Sequence, residues 1–283
     1  MQLVPVLIGF FLGLLLLEAL FPLRRRTRTL VHRLLVNFGV AALAFAVAAW
    51  IVRPVGLSLA AWSSAKSFGL LHLVALPAAV QCGLAFLLMD LTFYYWHLAN
   101  HKFPALWRFH NVHHIDPDLD VSTALRFHPV EVLLSAGFRV LQVSLIGLPP
   151  LTYIIYEGVF QASTLFHHSN IRLPLRIERL LNLVLVTPRM HGIHHSIVED
   201  EANSNYSTVF SWWDRLHRSV RLDIAQDALV IGVPAYHEPM DNDWWHVLTL
   251  PFHRQHAYWC WPAGSRPTRD TTAAPVRRNR MVA

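Results

Sequence analysis

Long apolar runs, separated by short polar or proline-containing stretches, dominate the first two thirds of the chain. One runs from Leu3 to Leu20 and a second from Leu34 to Val52. A loop carrying Arg53 and Lys66 separates the second run from a third, Gly69 to Trp96. Because roughly 20 consecutive apolar residues cross a bilayer as a helix, the pattern predicts three membrane-spanning helices here.

A fourth apolar stretch, from Val130 to Phe166, is interrupted at Gly147, Leu148, Pro149 and Pro150. Proline pairs disfavour continuation of a helix. The stretch therefore predicts a hairpin of two helices of about 17 residues each, just long enough to span the membrane. We expect an all-α integral membrane bundle of about four to five transmembrane helices, with a cytoplasmic helical cap.

The charge of the chain supports this interpretation. Charged residues make up 15% of its 283 residues, against roughly 25% in soluble proteins. The first apolar run lacks the features of a secretory signal, and the basic segment RRRTRTLVHR follows it, so this loop is expected on the cytoplasmic side. Counting segments from there predicts a multi-pass protein with every histidine cluster on the cytoplasmic face. No nucleic-acid-binding motif accompanies the net charge of +6.

Histidine is concentrated in one part of the chain, with 11 of 18 between positions 97 and 195. Three clusters, in WHLANH, RFHNVHH and RMHGIHH, place histidines three or four residues apart, which is one face of a helix. These clusters contain His97, His101, His110, His113, His114, His191, His194 and His195. His167 and His168 form a further pair in LFHHSN.

Eight or more imidazoles are too many for a single four-coordinate ion and suit two ions with about four imidazoles each. Neutral imidazole binds zinc, copper, iron and nickel, so the donor type leaves iron and zinc both open. Nearly all-nitrogen ligation beside a membrane suits oxygen activation at iron, directed at a C–H bond of a lipid.

The chain from about Asp90 to Ser219 resembles the fatty acid hydroxylase / sterol desaturase superfamily of membrane di-iron oxygenases. DLTFYYWHLANH, ALWRFHNVHHID and TPRMHGIHHS are similar to its three histidine boxes. TALRFHPVE and LFHHSNI resemble the segments that lie between the second and third boxes. The resemblance divides one structural domain into transmembrane helices at 1–89, a metal-binding catalytic region at 90–220 and a C-terminal region at 221–283. The last ends in a basic tail, expected to be disordered.

The resemblance implies that the catalytic metal ligands are the eight patterned histidines together with His168. His128 and His167 are additional candidates, either as ligands or as neighbours of ligands. Ligating histidines usually donate their second N–H to a carboxylate or carbonyl. Glu131, Asp90 and Asp214 are candidates for such acceptors.

The implied activity is hydroxylation or desaturation of a lipid or sterol alkyl C–H bond by O2 at two iron ions, with zinc as the alternative ion in isolated protein. Since the sequence contains no Rossmann glycine motif, haem-binding domain or iron–sulfur cysteines, a separate reductase would supply the electrons. A lipid ether monooxygenase of the same superfamily is an alternative. A membrane metal carrier is another, although histidines at helix ends on one face argue against it.

Overall fold

A computed structural model describes residues 3–269 and 281–282, which contain α-helices, short 3₁₀ segments and no β-strand. The all-α prediction is confirmed for these residues. The longer helices are α1 (Leu3–Leu20), α2 (Leu30–Val47), α3 (Arg53–Lys66), α4 (Ala78–Lys102), α5 (Pro104–His114), α6 (Pro129–Ile146) and α7 (Pro150–His168). The shorter ones are α8 (Leu175–Leu181), α9 (Pro188–His194), α10 (Glu199–Ala202), α11 (Trp212–Leu216) and α12 (Trp244–Thr249).

The predicted loop at Arg53 is wrong, because a π-helical turn at Ala48–Val52 joins α2 directly to α3. Pro54 removes one backbone donor, and the wider turn just before it absorbs that loss without ending the helix. The third predicted helix begins later than expected, at Ala78 rather than Gly69. Pro77 stands at its N-cap, where a missing N–H costs little.

Three segments are long and apolar enough to cross a membrane: Leu30–His72, Ala78–Lys102 and Pro129–Ile146. The apolar helix at 4–20 is shorter. The predicted hairpin is present as α6 and α7, but within the described residues only its first helix meets the same length and hydropathy criterion. The three qualifying segments fit a membrane protein, and a total of four to five spans stays a prediction.

Two chain reversals lie together at the end of the bundle where α7 begins. Gly69 and Gly147 both have positive φ, and a Cβ on Gly69 would lie 2.6 Å from Gly147 Cα. At the other end of α7, Leu23 N–H donates to Asn170 O (2.7 Å) and Arg172 N–H donates to Phe21 O (2.8 Å). The loop between α1 and α2 therefore lies at the end of the bundle where α7 finishes.

The bundle core lies between α3, α4, α6 and α7, where Ala60, Met89, Val143 and Tyr156 are buried together. The C-terminal region packs against α2 and α5 in a separate cluster. In it, Val233, Val247 and Leu250 are buried against Val36 of α2 and Trp107 of α5. Residues 221–269 are therefore part of the same packed unit.

The predicted disordered tail, from about Arg266, falls mostly on residues 270–280, outside the described part of the chain together with Arg277, Arg278 and Arg280. Next to that gap, Arg269 donates to both carboxylate oxygens of Glu201 at 2.9 and 3.0 Å. Beyond it, Met281 is buried. The two flanks of the segment thus contact the folded protein.

Candidate metal centre

The patterned histidines lie in the last two turns of three helices, or at the C-cap, and the ends of these helices meet. His97 and His101 end α4, and the second cluster ends α5. The third cluster ends α9, with its last histidine as the C-cap residue. Pro104 and Pro188 occupy the first position of α5 and α9, where proline starts a helix favourably. These two short helices therefore begin at prolines and finish at imidazoles.

The structure brings nine histidines into two compact groups. In each group the candidate donor nitrogens lie within 4.8 Å of one another. The first group contains His97, His101, His110, His114 and His194. The second contains His113, His168, His191 and His195. All are buried except His101, which is partly buried.

Neighbouring histidines in the sequence belong to different groups. His113 and His114 have rings 89° apart and face different groups, and His194 and His195 do the same at 81°. The groups are adjacent, because the rings of His114 and His195 stack at 4.4 Å. Each HxxHH motif therefore contributes to both groups.

The second group has the geometry of donors around a small cation. His168 Nε2 lies 3.0 Å from both His113 Nε2 and His191 Nε2, and His195 Nε2 lies 3.2 Å from His191 Nε2. His168 Nδ1 donates to Thr164 O at 2.8 Å, so its Nε2 carries a lone pair and no hydrogen. Lone pairs converging in this way fit a metal ion at their centre.

Backbone carbonyls fix the orientation of two rings in the first group. His97 Nδ1 lies 2.7 Å from Tyr206 O, and His194 Nδ1 lies 2.7 Å from Ser204 O. Because a carbonyl only accepts hydrogen bonds, each Nδ1 must carry the proton of the neutral ring. Each Nε2 then has a free lone pair with which it can ligate a metal ion. His194 Nε2 is buried and has no partner among the described residues.

A carboxylate orients a third ring of this group. His110 Nδ1 lies 2.8 Å from Glu131 Oε1, and His110 Nε2 has no partner within the described residues. Glu131 is buried in the first turn of α6. It lies where the sequence predicted an acceptor for a histidine N–H.

Burial keeps the imidazoles outside the candidate spans neutral. The pKa values of His113, His114, His191, His194 and His195 lie well below the ordinary value, because burial disfavours the charged ring and the neighbouring imidazoles oppose further protonation. Metal ligation requires neutral imidazole. The rings are therefore in the ligating form at neutral pH.

The two additional candidates lie outside both groups. His167 Nδ1 lies 3.1 Å from Thr208 O, with its ring 4.1 Å from that of His191. His128 uses both nitrogens on the backbone: Nδ1 accepts from Val130 N–H and Nε2 lies 3.1 Å from Leu248 O. His128 thus caps α6 and ties it to the C-terminal region.

Asp90 and Asp214 form no hydrogen bond to a histidine within the described residues. Asp90 accepts from the backbone N–H groups of Val209 and Phe210 and from Trp213 Nε1. Asp214 accepts from Tyr206 N–H (2.8 Å), and the carbonyl of Tyr206 is the acceptor for His97. Asp214 therefore supports the site through Tyr206.

The carbonyls of Thr164, Ser204 and Tyr206 were not among the residues inferred from the sequence. A backbone carbonyl leaves no trace in residue type, so no signal in a single sequence identifies it. Arg33 was also missed, although it is buried and hydrogen-bonded to Asp116, two residues after His114. An arginine at the start of an apolar helix was interpreted only as part of a basic loop.

Comparison with known proteins supports the resemblance inferred from the histidine motifs. Residues 82–219 match the fatty acid hydroxylase family. The chain is 31% identical over 140 residues to the ornithine lipid hydroxylase OlsE of Rhizobium tropici, a match covering 50% of this chain and 41% of that protein. It is 32% identical over 139 residues to the cholesterol 25-hydroxylase of Homo sapiens, covering 48% and 49%.

A third relative is the alkylglycerol monooxygenase of Homo sapiens, 28% identical over 177 residues that cover 62% of this chain and 37% of that protein. The chain thus spans less than half the length of each of these three relatives. No solved structure matches it significantly.

Proposed function

Because residues 82–219 match the fatty acid hydroxylase family, we propose that this chain is a membrane-embedded, metal-dependent oxygenase of that superfamily. Its substrate would be a lipid or sterol, hydroxylated at an unactivated alkyl C–H bond with O2. A separate reductase would donate the electrons. The similar proteins carry the names of lipid and sterol hydroxylases and of a monooxygenase.

The observation that carries the proposal is the division of nine histidines, eight buried and one partly buried, into two adjacent groups of five and four. Each group would hold one iron ion, with the nine imidazoles as ligands. Bound iron would supply the oxygen and electron-transfer chemistry that amino-acid side chains lack. Zinc fits the same nitrogen donors and is the alternative ion in isolated protein.

The protein's own residues would prepare this site in two ways. The carbonyls of Thr164, Ser204 and Tyr206 and the carboxylate of Glu131 accept the Nδ1 protons of four rings, so each Nε2 lone pair points inward. Burial excludes bulk water, which protects a reactive intermediate and favours an apolar substrate.

The position of the site relative to the membrane supports a lipid substrate. The histidine-bearing ends of α4 and α7 follow long apolar helices, so the candidate centre would lie near the bilayer surface. We propose four to five spans with the histidines on the cytoplasmic side, following the basic loop after α1. A substrate would then enter from the bilayer.

Two other activities share parts of this geometry. Cleavage of a lipid ether would use the same oxygen chemistry, and similarity to an alkylglycerol monooxygenase fits it without favouring it. Desaturation would differ only in the fate of the substrate after the first hydrogen is removed. A metal carrier would need to release its ion, whereas these donors are buried on several helices at once.

The test is to purify the protein with its metal, reconstitute it in lipid with a reductase, and supply ¹⁸O2. Mass spectrometry should find one ¹⁸O atom added to a lipid or sterol and about two metal ions per chain. His194→Ala should abolish the product, while His253→Ala, at an exposed position, should not. Metal-loaded protein that never incorporates oxygen, across lipid, sterol and ether-lipid substrates, would contradict the proposal.

A further inference from the structure

The loop between α1 and α2 forms a basic surface beside two cavities. A cavity of about 190 Å³ is lined by Arg24, Arg25, Arg26 and Arg28. A second cavity, of about 520 Å³, is lined by the first three of these together with Arg172. Two carboxylates, Asp118 and Glu18, also line them. Five arginines against two carboxylates leave the surface positive.

Arg24 is the buried member of this set. It is 8% exposed, and Nη1 donates to Gln226 Oε1 at 2.6 Å. Its Nε and Nη2 are buried without a partner in the part of the chain that the structure describes. Unsatisfied buried guanidinium donors are costly. A ligand with several acceptor oxygens would satisfy them.

The two carboxylates are already engaged. Asp118 accepts from Thr27 N–H (2.8 Å) and Arg28 N–H (2.9 Å), which shapes the loop. Glu18 accepts from Arg26 Nη2 at 3.2 Å and from the backbone N–H groups of Val121 and Asn170. Arg25 and Arg172 are exposed, and their side chains form no hydrogen bond within the described residues. Arg24, Arg25, Arg28 and Arg172 therefore carry positive charge with no carboxylate within ion-pair distance among the described residues, and of these Arg28 already donates to a backbone carbonyl, His237 O.

The position of the loop identifies the source of an anion. Leu16 and Leu20 of α1 and Val31 and Leu35 of α2 are all at least 60% exposed. Apolar surfaces on both flanking helices require hydrocarbon around them. A loop that joins two such helices lies at the depth of lipid headgroups.

We propose that Arg24, Arg25 and Arg172 bind the phosphate group of an anionic membrane phospholipid. The planar guanidinium fork pairs with phosphate oxygens in a bidentate manner, and the exposed apolar residues of α1 contact the acyl chains. The site lies next to the candidate metal centre, because a Cβ on Gly192, between His191 and His194, would lie 2.3 Å from Arg24 Nη1. The proposal concerns binding alone and does not depend on the oxygenase reaction.

Calorimetric titration of the purified full-length protein in a non-ionic detergent tests this. The probes are a short-chain phosphatidylglycerol, a short-chain phosphatidylcholine and inorganic phosphate. Phosphatidylglycerol should bind at least fivefold more tightly than phosphatidylcholine and far more tightly than inorganic phosphate. Each arginine removed should weaken phosphatidylglycerol binding about fivefold, so Arg25→Gln/Arg172→Gln should lose roughly 25-fold.

The matched control is Arg176→Gln/Arg254→Gln, which removes two exposed arginines outside the surface and should leave the affinity unchanged. Arg24→Gln is informative only if it folds, so the exposed pair carries the test. Equal affinity of wild type and Arg25→Gln/Arg172→Gln for phosphatidylglycerol would overturn the site. Inorganic phosphate binding as tightly as the lipid would overturn the assignment to a headgroup.

Discussion

Arg33 on α2 forms a two-point ion pair with Asp116 in the loop after α5, although 83 residues separate them. Arg33 Nε lies 2.8 Å from Asp116 Oδ1, and Nη2 lies 2.8 Å from Oδ2. Arg33 also donates to the carboxylate of Asp120. Burial alone would raise the pKa of Asp116, but the charge and hydrogen bonds of Arg33 lower it to about 2. The pair fixes the loop directly after His113 and His114.

Arg33→Met is therefore expected to destabilise the protein by about 3–5 kcal/mol, because it removes the nearest counter-charge from two buried carboxylates. Thermal unfolding in detergent measures the change. Arg176→Met, at an exposed position on α8, should stay within about 0.5 kcal/mol of wild type. Adding Asp116→Asn to Arg33→Met should recover part of the loss. An unchanged melting temperature in Arg33→Met would show that the pair contributes nothing.

The split of His113 and His114 between groups of four and five donors predicts unequal losses of metal. His113→Ala leaves three imidazoles in the second group, whereas His114→Ala leaves four in the first. We expect His113→Ala to retain about one ion per chain and His114→Ala to stay closer to two, since four donors complete a tetrahedral site. Elemental analysis of purified protein checks this, with His253→Ala as the exposed control. The opposite order would refute the grouping.

Glu131 should strengthen metal binding by the first group through its hydrogen bond with His110. Glu131→Ala removes the acceptor for His110 Nδ1 and is expected to lower metal affinity or turnover by about 10–100-fold. Glu131→Gln keeps an oxygen acceptor but loses the charge, so its effect should be smaller. Competition with a metal chelator measures the affinity. Asp227→Asn, at an exposed position, serves as the control. If Glu131→Ala had the same metal affinity as this control, Glu131 would have no role in metal binding.

The turns at Gly69 and Gly147 lie at the end of the bundle away from the histidines, so we predict that the turns and the histidines lie on opposite sides of the membrane. Leu73 is 77% exposed near the Gly69–Gly147 contact, and Asp200 is exposed near the histidine-bearing end. Single cysteines at these positions, in a background lacking Cys82 and Cys260, are probed with a membrane-impermeant thiol reagent in intact cells. We expect labelling at Leu73→Cys and, only after lysis, at Asp200→Cys. Labelling of both positions in intact cells would contradict a bundle that separates them by a membrane.

Gly147 should be intolerant of a side chain. It has φ +77°, and a Cβ would lie 2.5 Å from the carbonyl oxygen of Phe68. Gly147→Ala is expected to destabilise the protein by about 1–3 kcal/mol. Gly137→Ala is the matched control, since nothing lies within 4 Å of its Cβ position. A helix-interior alanine at position 137 should be neutral or stabilising by up to about 1 kcal/mol. Equal melting temperatures of Gly147→Ala and Gly137→Ala would contradict this account of the turn.

The sequence by itself determined the helical class, the approximate helices and the histidines to consider. These features are local: an apolar run, a proline pair and a three- or four-residue spacing each act within a few turns of one helix. The proline pair at 149–150 correctly marked the division between α6 and α7. Local pattern failed at Arg53, because a π-helical turn can carry the chain past a proline.

Only the tertiary structure decided which histidines share a group and what orients them. Adjacent residues on a helix point about 100° apart, so His113 and His114 diverge by local geometry, but their partners come from α4, α7 and α9. The carbonyls that orient His97 and His194 belong to the segment after α10. Arg33 reaches Asp116 because α2 packs beside the end of α5. These relationships depend on how distant helices pack, and that packing is set by the whole core rather than by any one segment.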